Sequence, residues 1–125
     1  MTTINLTEAA FEQAVTRDGI VLVDFWAAWC GPCRSFAPTF EKASDAHPDI
    51  LFGKIDTEAE RSLAAAAGIQ SIPTLMAFRD GILVYRQPGA LRAQDLEQLI
   101  EAVQELNMDE IRAEIASKQV DPADA

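Results

Sequence analysis

Apolar and polar positions change their period from block to block along this chain. After Thr7, a residue suited to a helix N-cap, Ala10, Phe11, Ala14 and Val15 share one face and predict a helix to about Thr16. Asp18-Gly19 ends that pattern. Ile20–Trp26 is then apolar on both faces except at Asp24, as expected of a central strand covered from both sides. A helical stretch follows from residues 30–33 to about His47, with Pro38 inside it, where a kink is expected. His47-Pro48-Asp49 reads as a turn, Ile50–Asp56 as a strand, and Glu58–Ala67 as an alanine-rich helix stopped by Gly68. Thr74–Phe78 and Ile82–Arg86 flank Arg79-Asp80-Gly81, a hairpin signal. After the break at Pro88-Gly89, Arg92–Leu106 places Leu96, Leu99, Ile100, Val103 and Leu106 on one helical face.

Alternating helices and strands followed by a hairpin predict an α/β fold. Its mixed sheet of four or five strands is covered by helices on both faces, with Thr3–Leu6 as the fifth strand. With 125 residues, 49% of them hydrophobic, the chain suffices for one core. We assign that core to residues 1–106 and treat 107–125 as a C-terminal extension. In the extension, Asn107 and Glu110 have capping-box spacing, and Met108, Ile111 and Ile115 share a face, so a short helix is expected before a frayed end at 121–125.

Charge narrows the partners. The formal net charge is −10, and residues 91–125 hold 9 acidic against 3 basic side chains, the pattern of a solvated helix face and tail. Such a chain repels phosphate backbones and anionic lipid, so neither nucleic acid nor a membrane is expected as a partner. The longest apolar stretches are far too short to span a bilayer, and the N-terminus lacks the basic start and apolar segment of a signal peptide. A cytoplasmic, monomeric protein is expected.

The only cysteines are Cys30 and Cys33. A bridge between them would close too small a loop to staple a fold, so the pair points to chemistry. At i and i+3 in one helical turn the two thiols lie close enough to bridge. Cys30, at the helix start, meets unpaired N–H groups and the positive end of the helix dipole, which stabilise a thiolate, the nucleophilic form. Pro32 fits the first turn because its missing N–H would have had no partner there. Cys33, further into the helix, is expected to be less exposed. Cys30 would then attack a disulfide and Cys33 would resolve the mixed disulfide. Two other readings compete. A structural zinc site needs four ligands, and His47 is the only histidine; an inert buried pair is the second.

Asp24 interrupts the apolar strand leading to the cysteines. A buried carboxyl resists ionisation, so its pKa should rise toward neutrality, and from there it could accept a proton from Cys33. The competing reading is an aspartate that reaches water or caps a neighbouring element.

Asp24-Phe25-Trp26-Ala27 and Trp29-Cys30-Gly31-Pro32-Cys33 together resemble the active-site signature of the thioredoxin family. Pro38, Ile72-Pro73-Thr74 and Gly89-Ala90 match further motifs of that family, and the likeness covers about Thr3 to Leu106. The resemblance implies the thioredoxin fold and a cis bond before Pro73, a form that only about 5–6% of X–Pro bonds adopt. It implies a substrate-binding rim of Trp29, Gly31, Pro32, Ile72, Pro73, Gly89 and Ala90, along which an extended substrate pairs with the loop backbone. It places Lys54 beside the buried aspartate, and Trp26 is assigned mainly to packing. It further implies a protein disulfide reductase with no bound cofactor beyond its own Cys30–Cys33 disulfide. That disulfide would be re-reduced by thioredoxin reductase at the expense of NADPH. The Gly-Pro between the cysteines lacks the histidine that oxidases and isomerases of this fold often carry there. An oxidase or isomerase, and a binding module using the same rim without redox chemistry, are the alternatives. Two departures stand out: Arg34 replaces a common lysine, and Pro88 stands where a β-branched residue is common, so a stiffer third loop is expected.

Overall fold

In the computed structural model, which describes residues 2–118, the chain runs β1 (Thr3–Asn5), α1 (Glu8–Val15), β2 (Ile20–Trp26), α2 (Gly31–Ala46), β3 (Leu51–Asp56), α3 (Arg61–Ala66), β4 (Thr74–Arg79), β5 (Ile82–Pro88), α4 (Ala93–Gln104) and α5 (Met108–Lys118). One five-stranded sheet has the order β1-β3-β2-β4-β5. β3 pairs in parallel with both β1 and β2, and β4 pairs antiparallel with β2 and β5. The mixed sheet is the one the sequence predicts. Its centre is β2, buried from Ile20 to Phe25, which is why that strand is apolar on both faces.

Side chains alternate across the sheet and so divide the core in two. Ile20 and Leu22 pack with Phe36 and Phe40 of α2, Phe52, Leu75, and Leu96 and Ile100 of α4. Phe40 touches both Phe36 and Phe52, with ring centroids 5.6 and 5.1 Å away. Each such side chain contributes about 1.5–3 kcal/mol by leaving water. On the other face Val21, Val23 and Phe25 pack with Val15 of α1, Leu63 of α3, Ile55, Met76 and Phe78. The period of two places Asp24 with Leu22, on the face covered by α2 and α4.

α3, β4 and β5 differ in extent from expectation, and β1, β3 and α4 are one to three residues shorter than expected. α3 starts at Arg61, not Glu58, because Asp56 Oδ1 accepts hydrogen bonds from the backbone N–H groups of Glu58 and Ala59 and holds residues 57–59 in a turn. The hairpin loop is two residues, since Arg79 belongs to β4. Asp80 and Gly81 both have positive φ, 52° and 82°, as a tight hairpin turn of this hand requires. β5 runs on to Pro88, opposite Thr74 at the sheet edge, where a residue without an N–H is tolerated. The helix expected in the extension forms as α5: Asn107 Oδ1 caps Glu110 N at 3.1 Å and Met108 is buried. The frayed end expected at 121–125 lies outside the described residues. Among the described residues, no helix is long and apolar enough to cross a membrane.

Candidate active site

β2 ends at Trp26, and the short segment 27–30 turns its direction into α2. Cys30 is the N-cap of α2, with extended backbone, and its sulfur takes the place of the usual capping oxygen: Cys33 N donates to Cys30 Sγ at 3.2 Å. Gly31 and Pro32 form the first turn, where Pro32 costs no helical hydrogen bond. Cys30 and Cys33 are joined as a disulfide, with Cα atoms 5.2 Å apart. The expected contrast in exposure is slight, since Cys30 is 4% and Cys33 2% exposed. Arg34 turns back along the helix and donates to Ala28 O at 2.8 Å, tying the first turn to the segment before it.

Around the sulfurs the structure gathers most of the residues expected at the rim. The Ile72–Pro73 bond is cis, and Ile72 O lies 3.7 Å from Cys30 Sγ. Gly89 N donates to Pro73 O at 2.7 Å, so the third loop is fastened to the cis-proline loop. Trp29, 67% exposed, is a surface residue, as are Gly31, Pro32, Gly89 and Ala90, whereas Ile72 is half-buried. Pro73 is buried.

Asp24 sits below this surface and is 0% exposed. Burial raises its pKa from 3.8 to about 7, with the charge of Lys54 acting in the opposite direction. Lys54 is its register partner on β3, yet the ammonium lies over the Trp26 ring, 4.9 Å from the centroid. Neither Asp24 oxygen has a hydrogen-bond partner, Cys33 included, and Trp26 Nε1 is likewise buried and unpaired. Trp26 also borders a depression of about 190 Å³ shared with Lys54 and Asp56.

Glu58 escapes notice in the sequence. Its Oε1 accepts from Trp29 Nε1 at 2.8 Å, and Arg61 holds its other oxygen at 3.0 Å. The partners lie 29 residues apart, and no local pattern marks the pair. Among the described residues, no group of three or more His, Cys, Asp or Glu is placed to hold a metal ion.

A cysteine pair bridged at a helix start, near a carboxyl whose pKa burial raises to about 7, suits two-electron exchange with other disulfides. The class is that of the thiol–disulfide oxidoreductases. The sequence model of the family described as Thioredoxin matches residues 2–102. The putative thioredoxin 2 of Streptomyces coelicolor is 51% identical over 117 residues, covering 94% of this chain and 87% of that protein. The thioredoxin of Alicyclobacillus acidocaldarius is 43% identical over 104 residues, covering 82% and 99%. The crystal structure of Malassezia sympodialis thioredoxin superposes with a TM-score of 0.72 at 33% identity, covering 80% of this chain and 89% of that one. The chain belongs to the thioredoxin family, and its redox-active disulfide makes it a protein disulfide reductase.

Proposed function

We propose that Cys30 is the attacking thiol, Cys33 the resolving thiol and Asp24 the proton acceptor of the second step. The Cys30 thiolate attacks one sulfur of a substrate disulfide, forms the mixed disulfide and releases the other substrate sulfur as a thiolate, which water protonates. Cys33 then gives its proton to Asp24 and attacks Cys30 Sγ. The second substrate sulfur leaves, the Cys30–Cys33 bond forms, and two electrons have passed to the substrate. The observation that carries this reading is the N-cap geometry: the N–H of Cys33 already points at Cys30 Sγ, a donor that favours the thiolate at that position.

Asp24 makes no direct contact with Cys33, so the proton moves through water, and Lys54 tunes the carboxyl electrostatically. Trp29, Gly31, Pro32, Ile72, Gly89 and Ala90 form the substrate rim over Pro73, and the substrate backbone pairs with the loop before Pro73. We assign these roles to residues 1–106 and treat the extension as accessory, because α5 packs at the hairpin end through Met108 and the Arg112–Asp80 ion pair. Re-reduction by a flavoprotein thioredoxin reductase using NADPH, in the cytoplasm and with the chain as a monomer, completes the cycle.

Cys33→Ser tests the roles. The variant should accumulate mixed disulfides through Cys30 with substrate proteins, read as reducible adducts by mass spectrometry. Adducts on residue 33 in the Cys30→Ser chain at equal yield would reverse the assignment. A coupled assay with NADPH, thioredoxin reductase and insulin tests the cycle, and the expected result is NADPH consumption that requires both cysteines.

A further inference from the structure

The loop holding Ile72 and Pro73 is fastened at both ends by one strand. At its far end Gly89, just past β5, donates to Pro73 O. Three residues earlier, Arg86 reaches the other end: its Nη1 donates to Ala67 O at 2.5 Å and its Nη2 to Gly68 O at 2.7 Å. These are the carbonyls at which α3 stops. Gly68, at φ 69°, and Ile69 close the helix by donating to Ala65 O and Ala64 O, both at 3.0 Å. Ile69 packs against the apolar cluster on that face. That turn satisfies the carbonyls of Ala64 and Ala65 but uses neither of the next two outside the helix, and the Arg86 fork takes both. A planar guanidinium can hold two carbonyls at once; an ammonium is a point donor without that fixed fork. Only residues 69–72 separate this clamp from Pro73.

We propose that Arg86 is a positioning residue for substrate recognition. It fixes the entry to the cis-proline loop, as Gly89 fixes its exit, so that the Ile72 carbonyl stays beside Cys30 Sγ. The inference rests on the reading of that loop as the rail along which substrate pairs, and it adds a residue that touches neither substrate nor sulfur. Arg86 is exposed and 53 residues from Cys33, and by sequence alone it reads as an ordinary edge-strand cation.

Single-turnover oxidation of the reduced full-length chain by insulin, followed by tryptophan fluorescence, separates half-saturation from limiting rate. Arg86→Met should raise the half-saturating insulin concentration about tenfold and leave the limiting rate within about twofold, the signature of a misplaced rail rather than damaged chemistry. Arg86→Lys, which retains charge and one donor contact, should recover most of this and raise half-saturation only about threefold. Should Arg86→Met not fold, as judged by thermal melting, the threefold rise in Arg86→Lys carries the test. Pro73→Ala serves as the reference for the rail itself. If Pro73→Ala raises half-saturation while the Arg86 variants match the natural chain, the clamp is overturned and the rail stands. If Pro73→Ala also leaves half-saturation unchanged, the rail reading fails and takes the clamp with it. A fall in limiting rate at unchanged half-saturation in the Arg86 variants overturns the proposal as well.

Discussion

The two ends of the sheet treat polar groups in opposite ways. At the cysteine end, Asp24 and Trp26 bury three polar atoms with no partner within the protein. At the hairpin end, Arg79 and Asp80 are both paired. Arg79 Nη1 donates to Val103 O, Gln104 O and Leu106 O at 2.7–3.0 Å, closing the C-terminus of α4. Asp80 accepts from Gly19 N at 2.8 Å with one oxygen and pairs with Arg112 at 3.3 Å through the other. A buried group without a partner costs about 1–3 kcal/mol, and a satisfied one contributes about 1 kcal/mol. The hairpin end thus supports stability that the cysteine end expends, where burial raises the Asp24 pKa to about 7.

The comparison can be broken at either end. Cys30→Ser has the largest expected effect, a loss of insulin reduction of at least about a thousandfold in the coupled assay, because it removes the proposed nucleophile. Asp24→Asn comes next and acts on stability. With a folded pKa of about 7 against 3.8 unfolded, Asp24 keeps its proton longer in the folded chain, so stability falls as pH rises from about 4 to about 7. Urea titrations should show Asp24→Asn more stable by on the order of 3 kcal/mol near pH 8 and no more stable below about pH 4. The same variant should slow resolution more than initial attack; an equal gain in stability at both pH values would show that ionisation is not the cost. Arg79→Ala should do the reverse, losing about 1–3 kcal/mol in the same titration while insulin reduction stays within about twofold. Glu58→Gln has the smallest effect. It should shift the Trp29 emission and change stability by less than about 1 kcal/mol, as for an exposed pair.

Much of this was legible in the residues. The apolar run interrupted by Asp24 identified both the central strand and a buried carboxyl, because few positions tolerate a charge in a strand covered twice. The Asp80-Gly81 turn and the cysteine pair at a helix start carry their geometry in local chemistry. What escaped was long-range. Arg79, Arg86 and Glu58 find their partners 18–29 residues away, across elements whose packing no local pattern specifies. α3 starts later than its propensity predicts for a related reason: the Asp56 carboxylate competes for the N–H groups, and helix propensity alone carries no trace of that competition.

The spacing of three between Cys30 and Cys33 has a thermodynamic consequence. Joining residues so close together restricts the unfolded chain by only about 2 kcal/mol, against about 3 kcal/mol for a 15-residue loop. The difference in stability between the two forms closes a cycle with the reduction potentials of folded and unfolded protein. At about 30 mV per 1.4 kcal/mol for a two-electron couple, paired denaturation curves would give the shift that folding imposes on the dithiol, without a redox buffer.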